Sequence, residues 1–241
     1  MKNLENILKI TNVLSDPTRL SIYNYIAQNH KEVNVREIAE EFAIHPNVAR
    51  LHLSKLEDVG MLKSENQKTG RGGRPSRVYR LSEDVIELSF PFRDYRLLAK
   101  IALETMLKLG PQAEKSLYDT GYQYGKKLME KHLDDNKLLK DQITAEQKLD
   151  ILKETAQLLG FHPDIYVKEK GKKFELQIYN CPFKEVAREH PEETCRMHIA
   201  FIKGLLESLF DGVELITVDN MFKGCESCSY QVAVAKDAVL Q

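Results

Sequence analysis

Apolar residues recur at helical spacing through most of this chain and alternate with polar ones only in short runs, and that contrast lays out its elements. Leu4, Ile7, Leu8, Ile10 and Leu14 form one amphipathic stripe. Asp16-Pro17 then offers a cap and a first-turn proline for a helix to about Ala27, with Leu20, Ile22, Tyr23 and Ile26 inward. Asn34 stands three residues before Glu37, the spacing of a capping box, and Ile38, Ala39 and Phe42 follow on one face. After a turn at Ala43-Ile44, His45 can cap a further helix and Pro46 fits its first position. Ala49, Leu53 and Leu56 face inward there, and Gly60 ends it as a left-handed cap. Met61–Asn66 and Ser76–Leu81 are expected strands, joined by a Gly/Arg-rich run that cannot pack a core.

The face left outward on the His45–Gly60 helix carries Pro46, Asn47, Val48, Arg50, Leu51, Ser54 and Lys55. Asn and Arg suit base edges in the major groove, and Lys suits phosphate. Lys68, Arg71, Arg74 and Arg77 would project from the hairpin onto a DNA backbone or into the minor groove. From Arg50 to Arg80 the chain holds eight cations against three anions. That is a local basic patch in a 241-residue chain whose formal net charge is −1, so attraction to nucleic acid is confined to one region. The competing reading is a solvated helical surface with a charged hairpin; the Gly-Arg-Gly-Gly-Arg-Pro run at 70–75 argues for DNA.

Three segments together resemble a known family: Leu14-Ser15-Asp16-Pro17-Thr18-Arg19-Leu20, the helix His45–Leu53, and Gly70–Pro75 with Val78-Tyr79-Arg80-Leu81. They are similar to the ArsR-like winged-helix repressors, and within these to the SufR-like regulators of iron–sulfur cluster assembly. The resemblance covers roughly the first third of the chain and implies a dimeric transcription factor on a double-stranded operator.

The rest of the chain is expected to serve dimerisation and sensing. Arg93–Leu109, with Leu97, Leu98, Ile101, Ala102, Thr105 and Leu109 on one side, predicts a helix stopped by Gly110-Pro111. Ala113–Leu133 predicts another, striped with Tyr118, Gly121, Tyr122, Gly125 and Met129, whose glycines permit close backbone approach. Both are candidates for a homodimer interface; packing within one subunit is the alternative. Asp134–Gln142 is polar enough for a linker. A capping box at Thr144/Gln147 opens a helix to Gly160, and Asp164–Lys168 with Lys173–Tyr179 predicts a hairpin. Glu193–Phe210 predicts a helix, and Val213–Val218 and Ser229–Val234 two more strands. The fold class is therefore α+β: a winged helix-turn-helix domain at 1–82, a helical dimerisation region at 83–142 and an α+β sensor domain on an antiparallel sheet at 143–241.

Four cysteines remain. Cys225-Glu226-Ser227-Cys228 places two thiols where they can grip one metal or one edge of a cluster. Cys181, held by Pro182, and Cys195 could complete a four-thiolate set, with His190 and His198 as alternates. Cys195 could instead be a small buried hydrophobe, His198 a core histidine, and Cys225/Cys228 a redox disulfide. The segment Asn180–Glu192 with Cys195 and His198 is also similar to the SufR-like branch, and this implies Cys181, Cys195, Cys225 and Cys228 as iron–sulfur ligands. A thiolate site suits zinc as well, which would leave the domain free to bind a small organic effector. No nucleophile motif, phosphate loop or dinucleotide fingerprint is present, so no enzyme is expected. With neither a signal peptide nor an 18-residue apolar run, the protein is expected to be cytoplasmic and to need no membrane.

Overall fold

A computed structural model describes residues 2–67, 76–168 and 173–235. They fall into two compact units, Met1–Arg93 and Asp94–Gln241. The expected divide at 82/83 thus differs from the contact pattern, and the two helices after Arg93 belong to the same unit as the sensor sheet.

The first unit runs α1 (Lys2–Leu14), α2 (Pro17–Asn29), β1 (Val33–Asn34), α3 (Val35–Glu41), α4 (Pro46–Asp58), β2 (Leu62–Gln67) and β3 (Ser76–Leu81). Three strands pair antiparallel in the order β1-β3-β2. The caps form where the sequence places them. Asp16 accepts from the Arg19 N–H, Asn34 and Glu37 close a capping box, and the His45 side chain accepts from the Asn47 N–H. The core is Val13, Ile22, Ile26, Ile38, Ala49, Leu53, Leu56, Leu62 and Tyr79, with the inward stripes of α2, α3 and α4 all represented.

The second unit runs α5 (Tyr95–Leu107), α6 (Pro111–Asp135), α7 (Ala145–Leu158), β4 (Pro163–Lys168), β5 (Lys173–Ile178), α8 (Lys184–Ala187), α9 (Pro191–Leu209), β6 (Glu214–Asp219) and β7 (Cys228–Ala233). Its four-stranded sheet is antiparallel throughout, in the order β4-β5-β7-β6. Phe174, Leu176 and Ile178 of β5 and Tyr230 and Val232 of β7 meet Leu152, Ala156, Leu205, Leu206 and Leu209 in one core. The segment expected as a linker is partly built in. α6 continues to Asp135, residues 140–142 make a 3-10 turn, and Lys140 holds the Asp211 carboxylate at 2.8 Å.

α6 and α9 pack backbone to backbone. A Cβ on Gly125 would lie 2.0 Å from the Phe201 carbonyl oxygen, and one on Gly204 would lie 2.2 Å from that of Tyr122. The glycine stripe of α6 is therefore turned toward α9 of the same chain. α5 behaves differently. Only Leu103 is buried among its residues, while Leu98 and Ile101 are 61% and 53% exposed.

Candidate functional site

The first site is the outer face of α4. Ala49, Leu53 and Leu56 are fully buried, which fixes the helix's rotation and leaves Pro46, Asn47, Val48, Arg50, Leu51 and Lys55 exposed. Asn47 Oδ1 accepts from Arg50 Nη1 at 3.2 Å, so the two candidate base-reading side chains are mutually ordered. The helix is braced from behind by the Asp16-Pro17-Thr18-Arg19 corner. There Arg19 donates to the Val13 carbonyl at 2.9 Å and to Asp16 at 3.3 Å, and its Nε points at the buried His52 of α4, 3.4 Å away. Beside α4 runs a cleft of about 1060 Å³, lined by Arg36, Arg50, Ser54, Glu57, Asn66 and Arg77 among others.

Among the hairpin cations, Lys68, Arg71 and Arg74 lie outside the described residues. Arg77 is described, and its guanidinium is engaged within the protein. Nη2 meets both carboxylate oxygens of Glu57, at 2.9 and 2.8 Å, and Nε donates to Ser64 Oγ at 2.8 Å. Strand parity explains this. Alternate residues share a face, so Arg77 stands on the side of buried Tyr79 and leans over its ring, 5.4 Å from the centroid.

The second site is one end of the four-stranded sheet. Cys228 opens β7 opposite Ile178, the last residue of β5, and Cys181 follows three residues later. Cys195 comes in from the first turns of α9, and Cys225 from the turn before β7. Cys181 and Cys228 are buried, Cys195 partly so and Cys225 exposed. Backbone amides point at sulfur: Met221 N–H donates to Cys228 Sγ at 3.5 Å, and the Phe183 amide does the same for Cys181. Asn220 Nδ2 lies 3.7 Å from Cys195 Sγ, and Cys225 Sγ lies 3.8 Å from an Asp219 oxygen. Burial pushes the Cys181 thiol up to about 12, against the pull of the Phe183 amide, with Cys228 and Cys195 adding to the rise. Burial likewise raises Cys228. This end of the sheet, the cysteine pole, thus holds Cys181 and Cys228 as buried neutral thiols, which a bound metal or cluster would convert to thiolates.

The two histidines separate. His198 is at the pole, with Nδ1 3.7 Å from Cys181 Sγ and the rings of Phe161 and Phe183 edge-on at 5.0 and 5.2 Å. Burial lowers its pKa to about 4, so the ring is neutral. Its Nε2 and the Thr194 hydroxyl one turn earlier are buried without a hydrogen-bond partner among the described residues. His190 sits elsewhere, its ring nitrogen grouped with carboxylate oxygens of Glu104 and Glu189 within 4.8 Å. Lys100 of α5 pairs with that same Glu189 at 2.5 Å.

A model of the helix-turn-helix domain matches residues 14–65, the span from the end of α1 to β2. An uncharacterized HTH-type transcriptional regulator from Methanocaldococcus jannaschii is 34% identical over 80 residues, which are 33% of this chain and 80% of that protein. The chain belongs to the HTH-type transcriptional regulators. Two solved structures are also similar to it. One is the homodimeric winged helix-turn-helix DNA-binding domain of a possible ArsR-family regulator from Mycobacterium bovis, at 20% identity and TM-score 0.29, over 45% of this chain and 86% of that one. The other is the phenol-responsive sensory domain of the activator PoxR with phenol, at 15% identity and TM-score 0.42, over 78% and 92%. At those scores neither bears on fold or function.

For this DNA-binding regulator, sequence reasoning named the side chains that α4 leaves exposed. It missed Glu57, whose role needs the register of two strands. It also missed the bracing of His52 by Arg19, which a Pro-Thr-Arg corner next to a buried polar helix position could have suggested. No helix among the described residues is long and apolar enough to cross a membrane.

Proposed function

We propose that this regulator is a homodimeric, ArsR-like repressor of the SufR-like branch. It reads a double-stranded operator through α4 and the basic hairpin, and its second unit reports iron–sulfur or redox status through a cluster on Cys181, Cys195, Cys225 and Cys228. One observation carries the sensing part: Cys181, Cys195 and Cys228 come from separate stretches to the same end of the sheet, and backbone amides are aimed at two of the sulfurs. Among the described residues no three of the cysteine sulfurs lie within 4.8 Å of one another, so a cluster would have to draw them closer. Hydrogen bonds to sulfur are among the levers that set a cluster's potential, and such a group would supply redox-dependent occupancy. His198, 3.7 Å from Cys181 Sγ, would orient that side chain, and His190 groups with Glu104 and Glu189 instead of with the cysteines.

The exposed apolar face of α5 supports the dimer, since a second copy related by a two-fold axis would cover Leu98 and Ile101 with the same residues. Two readers would then address two half-sites about one helical turn apart. Within the second unit the Lys100–Glu189 pair ties α5 to the segment between Cys181 and Cys195, a route by which the pole can bias the dimer helix. Anaerobic purification with metal and sulfide analysis tests the reading. A brown protein absorbing at about 400 nm with bound iron supports it.

A second reading is structural zinc on the same thiols with a small organic effector bound nearby. The unpartnered Thr194 hydroxyl and His198 Nε2, beside Phe161 and Phe183, favour it by offering polar anchors in an aromatic setting. A colourless protein with stoichiometric zinc would select it.

A further inference from the structure

Glu57 is an acidic residue on the DNA-facing side of the reading helix. Arg50, Ser54 and Glu57 fall at i, i+4 and i+7 on α4, and all three line the same cleft. An unpaired carboxylate there would repel phosphate. It is instead enclosed by a ring of hydrogen bonds. Ser64 Oγ of β2 donates to Glu57 Oε1 at 2.6 Å, Arg77 of β3 grips both oxygens, and Arg77 Nε closes the ring onto Ser64 Oγ. The register explains why these three meet. Ser64 pairs directly with Tyr79 and Asn66 with Arg77, so Leu62, Ser64 and Asn66 share a face with Leu81, Tyr79 and Arg77. Leu62 and Tyr79 anchor that face in the core, leaving the polar half of it against the last turn of α4.

We infer that Glu57, Ser64 and Arg77 form a latch that fixes the angle between the reading helix and the hairpin strands, and that this angle sets the regulator's sequence discrimination. Arg77 is accordingly a positioning residue and makes no phosphate contact. Three features carry this. Arg77 Nη2 reaches both Glu57 oxygens while Nε holds Ser64 Oγ, so one planar guanidinium fixes both partners at once. Glu57 is 26% exposed while Arg77 is 51% exposed, so it is the carboxylate side of the pair that is partly shielded from solvent. The Tyr79 ring, 5.4 Å from the guanidinium carbon, supports the Arg77 head by a cation–π contact. The inference rests on α4 being the reading helix.

The test uses the full-length chain with two duplexes, one selected from a random pool by the wild-type protein and one of the same composition scrambled. Affinities are measured by fluorescence anisotropy between about 50 and 200 mM salt. Arg77→Gln and Glu57→Gln should each lower the preference for the selected duplex by about tenfold. The double variant should be no worse than the poorer single one, and the dependence of log K on log salt should keep its wild-type slope. Arg77→Lys, which keeps the charge but cannot hold Glu57 and Ser64 together from one planar group, should not restore the preference. Ser64→Ala, a milder cut in the same ring, should lower it by a smaller factor at the same slope and serves if either charge variant does not fold. The inference is overturned if Arg77→Gln weakens both duplexes alike and flattens the slope by about 0.9, the signature of one lost phosphate contact. It is equally overturned if Glu57→Gln or Ser64→Ala leaves discrimination at the wild-type value. A wild-type protein that does not distinguish the duplexes at all would instead remove the reading-helix assignment on which the latch depends.

Discussion

Replacing Gly125 by alanine should destabilise the second unit, although helix propensity alone predicts the reverse. Glycine inside a helix costs about 1 kcal/mol relative to alanine, so an exposed Gly→Ala change in α6 would raise stability. At Gly125 the added Cβ would sit 2.0 Å from the Phe201 carbonyl oxygen, while ordinary contact begins at 3.4 Å. The obstacle is backbone, so no side-chain rotation relieves it. α6 and α9 must part by about 1.4 Å at this crossing, the difference between those two distances. A gap of that order forfeits much of the dispersion energy between facing atoms, and buried Met129, Ile202, Leu205 and Leu206 lie in the same core. Overpacking of this kind costs up to about 3 kcal/mol. Set against the propensity gain, the expected loss is about 2 kcal/mol, or roughly 4–8 °C in Tm for a chain of this size. Thermal unfolding followed by circular dichroism reads it directly. Gly204→Ala should behave alike, since its Cβ meets the Tyr122 carbonyl from the other side. A Gly125→Ala protein melting at or above the wild-type temperature would refute the close-packed α6–α9 crossing.

Arg50→Ala should relax base preference at one position of each half-site, a change of about 1–3 kcal/mol in the selected-versus-mismatched comparison; competition binding with single-position duplex variants checks it. Cys228→Ser should lower bound metal per chain while leaving DNA binding of the metal-free protein intact, and elemental analysis beside a gel-shift titration separates the two. Ile101→Glu should shift the chain toward monomer in light scattering, because it would set like charges against one another across the proposed two-fold contact on the exposed face of α5. Asp16→Ala should cost the first unit about 1 kcal/mol by removing the α2 cap. The Arg19 N–H holds the Asp16 carboxyl below its ordinary 3.8, so the cap contributes above that pH and is lost as pH falls through the lowered value; acid titration of unfolding should show wild type approaching the variant there.

The first unit was legible in the sequence because its signals are local. A capping box, a first-turn proline and a left-handed glycine each act within a few residues, and the buried set Ala49, Leu53 and Leu56 fixes which side of α4 faces out. The Arg77–Glu57 contact was not legible, for a local reason too: one more hairpin cation in the sequence, Arg77 is placed over α4 only by its parity with Tyr79. The second unit depends on distant pairings. The glycines of α6 announced a close approach, yet nothing in their spacing named α9, more than seventy residues on, as the partner. Cys181 comes near Cys228 because β5 pairs with β7, and Cys195 joins them from α9; neither the strand pairing nor the helix docking is written in any one element. Pro191 began α9 earlier than the apolar stripe suggested, since a stripe marks the buried face and not the first turn.

The interlocked glycines also limit how the molecule can move. With carbonyl groups of each helix seated where the other lacks a side chain, α6 and α9 cannot slide or roll past one another without collision. A displacement imposed on the first turns of α9 would therefore carry α6 along with it as one body.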